Sequence, residues 1–363
     1  MKVAIVHDWL IGGGAERVVY ELHQLFPDAP IYTSYATDEW RDKLDGKVVT
    51  GYLQHFPRLR KYLPVLRAHW FSHLNLDSYD LIISSSGAEA KGVCVKKPAV
   101  HINYCHAPTH YYWDRYDDYL KSPGFPLGLN WLGRFGLKLL VGPMRRWDYK
   151  AAQRPDFMIA NSTHTKAKIK QYYGRDSVVI HPPVDTARFA HTTNQQRAGF
   201  VTAGRQTPYK RIDLAVAACT ELSLPLTVIG DGPDHHKLVT MAGPTIRFIT
   251  DASDGQVAEH LAAAKAFVFP GVDDFGITAV EALAAGTPVI AYKGGGALDY
   301  VTEGKTGMFF DEQSAECLAS CLKNFKSSAF DSGIIKQQAE MFSVHNFPMN
   351  IEHFIKSLGD FHG

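Results

Sequence analysis

The 363-residue chain has few cysteines, almost no net charge and no long apolar run, and each shortage excludes something. Its five cysteines (Cys94, Cys105, Cys219, Cys317 and Cys321) form neither a Cys-x-x-Cys pair nor a dense framework. That excludes a disulfide scaffold and a zinc ribbon, and predicts buried, reduced thiols. No stretch reaches the roughly 18 uninterrupted apolar residues of a membrane span. Met1 leads directly into Val3-Ala4-Ile5-Val6 without a charged, cleavable leader, so the expected location is the cytoplasm. Asp-x-Asp is absent, and His69 with His73 and His106 with His110 have helical metal spacing but no matching third ligand, so no metal is expected.

The net charge of +1 hides a split: residues 1–187 carry 24 basic against 18 acidic groups, and residues 188–363 carry 14 against 19. The basic first half points to an anionic neighbour, with a membrane surface and nucleic acid as candidates and chance surface variation as the alternative. Nucleic acid is disfavoured because no aromatic-basic recognition motif accompanies the charge.

A chain of this length with 45% hydrophobic residues suits two domains. Val3 to His7 reads as a strand, followed by a glycine loop and a helix carrying Val18, Val19, Leu22 and Leu25. Further strand candidates are Leu81–Ile83, 100–104, 157–160 and 178–180, with helical patterns between most of them, the signature of a parallel sheet. His181-Pro182-Pro183 interrupts regular structure and the polar run 191–197 reads as a linker. The cycle then restarts with strands at 200–203, 226–229, 246–249, 266–269 and 288–291 and a helix from about Arg211. In such sheets ligands lie beyond the carboxyl ends of the strands.

Gly12-Gly13-Gly14-Ala15-Glu16-Arg17 does not have Gly-x-Gly-x-x-Gly spacing, and no acidic residue ends the expected second strand, which argues against a nicotinamide cofactor. A tight glycine run at a helix start still offers amide donors to a diphosphate or a sugar hydroxyl; a plain turn is the alternative. In the segment from Gly204 to Arg211, Arg205 and Lys210 supply a planar fork and a point charge suited to a diphosphate, although the same residues also describe a solvated turn. Ile229-Gly230-Asp231-Gly232-Pro233 makes a turn on which a flat base can rest, and Ile249 lies at the end of the next strand candidate.

The segment from Phe269 to Ile290 is the most informative. Asp273, followed by Asp274-Phe275-Gly276-Ile277, stands in a loop before a helix, and Glu281 lies eight residues further on, within that helix. Asp273 can reach a sugar hydroxyl, and Glu281 can accept both hydroxyls of a ribose. Val280, Ala282, Leu283 and Ala284 surround Glu281 with apolar neighbours, so its carboxylate needs a partner.

Together with Gly294-Gly295-Gly296-Ala297, these motifs resemble the retaining glycosyltransferases of the large GT-B family-four group over nearly the whole chain. Tyr104-Cys105-His106-Ala107-Pro108-Thr109, Tyr112-Trp113-Asp114, Trp147-Asp148-Tyr149, Ile159-Ala160-Asn161-Ser162 and His181-Pro182-Pro183-Val184-Asp185 narrow the resemblance. They are similar to bacterial mannosyltransferases that use GDP-mannose in O-antigen, capsule or exopolysaccharide assembly. The implied fold is α/β: two Rossmann-like doubly wound domains facing across a cleft, with a C-terminal helix at about 342–363 crossing back. The first domain (1–187) would bind the acceptor and the second (198–341) the nucleotide sugar. By this resemblance Arg205 and Lys210 hold the diphosphate, Glu281 the ribose, and Asp273 with Gly295 and Gly296 the donor sugar. Gly13, Gly14, Gly204, Gly230, Asp274, Phe275, Gly276 and Ile277 would line the nucleotide, while Gly12, Gly14, His106 and Asn161 would lie toward the reacting sugar. The family usually has Glu where this chain has Asp273, one methylene shorter, which bears on the identity of the donor sugar.

The motifs contain no carboxylate nucleophile paired with an acid. The expected chemistry is therefore stabilisation of a departing nucleoside diphosphate, with the acceptor hydroxyl attacking from the leaving-group side. Closure about the linker would expel water before transfer. Residues 121–150 hold six basic residues and one acidic residue among Phe125, Leu129, Trp131, Leu132, Phe135, Leu137, Leu139, Leu140 and Trp147. Such a stretch can lie on an anionic leaflet, on the cytoplasmic face of the inner membrane beside a lipid-linked acceptor; a helical hairpin packed on the domain is the alternative. The rival functions are a UDP-sugar-dependent glucosyl- or N-acetylglucosaminyltransferase, a GT-B sugar-nucleotide epimerase, and a non-catalytic nucleotide-binding partner.

Overall fold

The computed structural model describes residues 1–57, 64–121, 123, 130–189 and 197–359. They divide into two compact units, Met1–Pro182 with Pro348–Gly363, and Pro183–Phe347. Most of the polar run read as a linker (191–196), together with Phe125, Leu129 and the last residues 360–363, lies outside the described residues.

In the first unit, seven parallel strands are ordered β3-β2-β1-β4-β5-β6-β7. They are β1 Val3–His7, β2 Ile31–Thr33, β3 Val48–Thr50, β4 Leu81–Ser86, β5 Val100–Cys105, β6 Phe157–Ala160 and β7 Val178–Val179. β1, β4 and β5 are buried along their whole length, as in parallel sheets covered on both faces. Several of their buried polar side chains bond across strands to a neighbouring side chain or carbonyl. His7 Nδ1 lies 2.7 Å from the Ser85 carbonyl, Ser84 Oγ 2.7 Å from His101 Nε2, and Asn103 Nδ2 donates to the Ser84 carbonyl at 3.0 Å. Phe354, in the helix Asn346–Ser357, meets Phe157 edge-on with ring centroids 6.2 Å apart.

The second unit holds six parallel strands in the order β10-β9-β8-β11-β12-β13: β8 Phe200–Ala203, β9 Leu226–Ile229, β10 Ile246–Ile249, β11 Ala266–Phe269, β12 Val289–Tyr292 and β13 Gly307–Phe310. Alternate residues feed two cores. Phe267, Phe269, Val289 and Ala291 join Val280 and Leu283 in one, and Ala266, Val268 and Ile290 join Val216 and Leu318 in the other. Fully burying a large aliphatic or aromatic side chain contributes about 1.5–3 kcal/mol, so these two layers fix the sheet. The order reverses between β1 and β4 in the first sheet and between β8 and β11 in the second, which makes those strand ends the topological switch points where open α/β sheets bind ligands.

No disulfide joins the five cysteines, and only Cys105 and Cys219 are buried. Cys94 corrects the expectation of buried thiols. It lies in irregular chain between the helical turn Ala90–Gly92 and β5, where connecting segments run over the surface.

Candidate functional site

In the second unit, the loops after β8 and β11 meet at the switch point. Lys210 Nζ forms an ion pair with the Asp273 carboxylate, and lies 5.8 Å from the centroid of Phe269. Arg205, seven residues before the helix Ile212–Glu221 begins, is exposed, and its side chain has no hydrogen-bond or ion-pair partner among the described residues. The glycine loop after β12 lies against the same place: the Gly296 amide donates to the Asp273 carbonyl at 2.9 Å. Arg205, Lys210, Asp273, Gly295 and Gly296 therefore belong to adjacent strand-end loops.

The turn after β9 is fixed by Gln206, which the sequence reading did not single out. Fully buried, it donates from its backbone amide to the Asp231 carbonyl at 2.9 Å and from Nε2 to the Gly230 carbonyl at 2.5 Å, while Oε1 lies 2.9 Å from His235 Nδ1. Gly204 to Lys210 is thereby tied to Gly230-Asp231-Gly232-Pro233, and the Gly230 amide in turn donates to the Ile249 carbonyl at 2.8 Å. Asp274 and Ile277 are half-buried, whereas Phe275 points into the core against Tyr300 and Phe342, with ring centroids 5.5 and 5.7 Å away. Gly276 takes a φ of +95°, which favours glycine, and starts the helix Ile277–Ala284. Beside it, burial first and the charge of Asp273 second hold the Tyr300 hydroxyl well above the ordinary phenol pKa.

Glu281, on that helix, is buried and has the partner its apolar surroundings demand. Arg188 Nη2 donates to Oε1 at 3.2 Å, and Arg188 Nη1 reaches Asp254 Oδ2 at 3.0 Å. No local pattern revealed Arg188, because the two residues are 93 positions apart.

In the first unit, the Gly12 amide donates to Glu16 Oε1 at 3.1 Å, so the side chain of the glycine loop's own helix takes up one of its donors. Gly13, at φ +153°, caps the helix Gly14–Leu25. Asp8, buried at the end of β1, accepts from the Gly87 and Ala88 amides at 2.8 and 2.9 Å and from the Ala90 amide at 2.8 Å, joining the strand ends of the switch point. His106, just beyond β5, has Nε2 2.7 Å from Ser85 Oγ, and its carbonyl accepts from Asn161 Nδ2 at 2.9 Å.

Beneath the segment that follows His106 lies a buried ionic network. Asp148 accepts from Lys91 Nζ at 2.6 Å, Thr109 Oγ1 at 2.8 Å, Trp113 Nε1 at 2.7 Å and the Tyr173 hydroxyl at 2.7 Å. Burial opposes the charge on Lys91, yet the Asp148 carboxylate outweighs it and leaves the ammonium above its usual pKa. The Trp113 and Asp148 motifs are thus two halves of one contact.

The helix Asn130–Ala151 buries Gly133, Met144, Asp148 and Ala151. At about 100° per residue, the opposite side presents Trp131, Phe135 and Leu139, which are 65%, 63% and 65% exposed. Arg134, Lys138, Arg146 and Lys150 are exposed on the same helix. Among the described residues no helix is long and apolar enough to cross a membrane.

Residues 12–188 match the family model described as Glycosyltransferase Family 4, and residues 183–340 that of Glycosyl transferases group 1. The D-inositol 3-phosphate glycosyltransferase of Nocardioides sp. is 27% identical over 237 residues, 53% of this chain and 52% of that protein. The GDP-mannose-dependent alpha-mannosyltransferase of Mycolicibacterium smegmatis is 40% identical over 121 residues, 33% of this chain and 31% of that protein. The matches thus span about half of the first of these curated relatives and about a third of the second. Among solved structures, HepE of Anabaena in complex with UDP is similar at a TM-score of 0.69 and 18% identity, covering 98% of this chain and 100% of that one. Sucrose-phosphate synthase of Thermosynechococcus elongatus is similar at a TM-score of 0.72 and 16% identity, covering 99% of each chain. At these identities the structural likeness carries the fold, two Rossmann-like units of the GT-B type.

Proposed function

Since the chain belongs to the family-four, group 1 glycosyltransferases, we propose that it moves mannose from GDP-mannose to a lipid-linked glycan, with retention at the anomeric carbon, in cell-surface polysaccharide assembly. The observation that carries the reading is the meeting of Lys210 and Asp273 at the switch point, with Arg205 unpaired in the same loop. Arg205 and Lys210 would take the diphosphate, and as Lys210 turns to it the Asp273 carboxylate accepts from a sugar hydroxyl. Glu281 takes the ribose hydroxyls, and the turn from Ile229 to Pro233 with Ile249 takes the base.

In the transfer, the bond from the anomeric carbon to the phosphate oxygen breaks as the acceptor oxygen bonds the same face. The acceptor proton passes to the departing phosphate oxygen, whose charge the two cations stabilise. The reading requires no metal. GDP-mannose as donor is supported by the mannosyltransferase likeness. A UDP sugar such as UDP-glucose is the second reading, because Asp273, one methylene shorter than the family's usual Glu, bears on which donor sugar is held. A position on the cytoplasmic face of an anionic membrane is supported by the exposed apolar stripe and cations of the helix Asn130–Ala151. Hydrolysis of GDP-mannose, UDP-glucose and UDP-N-acetylglucosamine by the purified chain tests the donor. GDP-mannose should be cleaved fastest, and faster cleavage of either UDP sugar overturns the assignment.

A further inference from the structure

We propose that Arg188 is a positioning residue for the nucleotide ribose: it sets the orientation in which the Glu281 carboxylate meets the two ribose hydroxyls. The inference rests on the role of Glu281 proposed above and adds a residue that touches no substrate. Glu281 is 5% exposed, and one carboxylate can engage two vicinal hydroxyls only if its plane is held. Arg188 supplies that restraint from three sides. Nη2 bonds Glu281 Oε1 at 3.2 Å, Nη1 is tethered to Asp254 Oδ2 at 3.0 Å at the start of the helix Asp254–Ala263, and the guanidinium carbon lies 4.8 Å from the centroid of the Phe189 ring. Arg188 Nε is buried without a partner among the described residues, so the side chain accepts an unsatisfied donor in order to hold this arrangement. Arg188 lies early in the second unit, Pro183–Phe347, together with both of its carboxylate partners.

The test compares the affinities of GDP and 2′,3′-dideoxy-GDP by calorimetry on the full chain. The wild type should prefer GDP by about tenfold or more, and Glu281→Gln should abolish most of that preference. Arg188→Gln should weaken GDP about 5- to 20-fold while changing the dideoxy nucleotide less than about twofold, with Arg188→Lys intermediate. A merely structural role would weaken both nucleotides equally, and that result overturns the proposal. If Arg188→Gln does not fold, Asp254→Asn removes only the exposed end of the tether and should show the same selective loss at smaller size; equal effects on both nucleotides again overturn it. If Glu281→Gln keeps the full preference, the role of Glu281 itself fails, an outcome distinct from a selective Glu281 effect with a silent Arg188.

Discussion

Replacing Asp148 by asparagine keeps the shape of the side chain and removes its charge. The carboxylate is fully buried and receives four donors between 2.6 and 2.8 Å, one of them the equally buried ammonium of Lys91. The substitution leaves that cation without a counter-charge, and breaking a buried pair from one side costs about 3–5 kcal/mol. Against a total stability of about 5–15 kcal/mol, this is enough to unfold a large share of molecules near physiological temperature. Urea denaturation followed by far-UV circular dichroism should show the first transition of Asp148→Asn shifted by that amount. Replacing both partners, as Lys91→Met with Asp148→Asn, should recover at least about 2 kcal/mol, because no buried charge remains while the asparagine oxygen still accepts from the neighbouring donors. A loss below about 1 kcal/mol for Asp148→Asn, or no recovery in the pair, would refute the view that this network holds the segment after His106.

Burial pushes His101 down to about 3 from the ordinary 6.5, so the unfolded chain binds a proton there that the folded chain does not. Its contribution is whole above pH 6.5 and lost as pH falls toward 3; between pH 7.5 and 5.0 the loss should be about 2 kcal/mol. The same denaturation series on His101→Gln should show a pH dependence smaller by that amount, and an unchanged dependence contradicts the assignment. Gly276→Ala adds a Cβ at φ +95°, 2.7 Å from the Tyr300 hydroxyl and 2.8 Å from Phe269 Cζ. It should cost about 2–5 kcal/mol from backbone strain and overpacking together, and a urea midpoint close to wild type is incompatible with that geometry. Trp131→Ser with Phe135→Ser and Leu139→Ser should reduce flotation with anionic liposomes at least about tenfold without moving the melting temperature. Undiminished flotation removes that face as the membrane contact.

Much of the fold was legible because long buried strands announce themselves. Leu81-Ile82-Ile83 and Ala266-Phe267-Val268-Phe269 are apolar runs that only a sheet covered on both faces explains. β2 and β3 were not legible, since three residues such as Ile31-Tyr32-Thr33 carry too little periodicity to stand out. β13 was hidden by its first residue: Gly307 reads as a break, yet a Cβ there would lie 2.0 Å from the Val289 carbonyl, so the glycine is what allows the strands to approach. The meeting of Lys210 with Asp273, and the need of Glu281 for a partner, were readable from their place at strand ends or in the helix that follows. Arg188 and Gln206 were not, because their contacts join segments distant in sequence and neither lies in a patterned run.

In the proposed function, Arg205, Lys210 and Glu281 hold one nucleoside diphosphate. Calorimetric titration of GDP into the wild type, Arg205→Ala, Lys210→Ala and Glu281→Ala tests it directly. Charged hydrogen bonds of about 1.5–3 kcal/mol each predict that every substitution weakens binding by at least about tenfold at unchanged stoichiometry. GDP affinity unaltered by all three substitutions, in variants that melt like the wild type, would contradict the account.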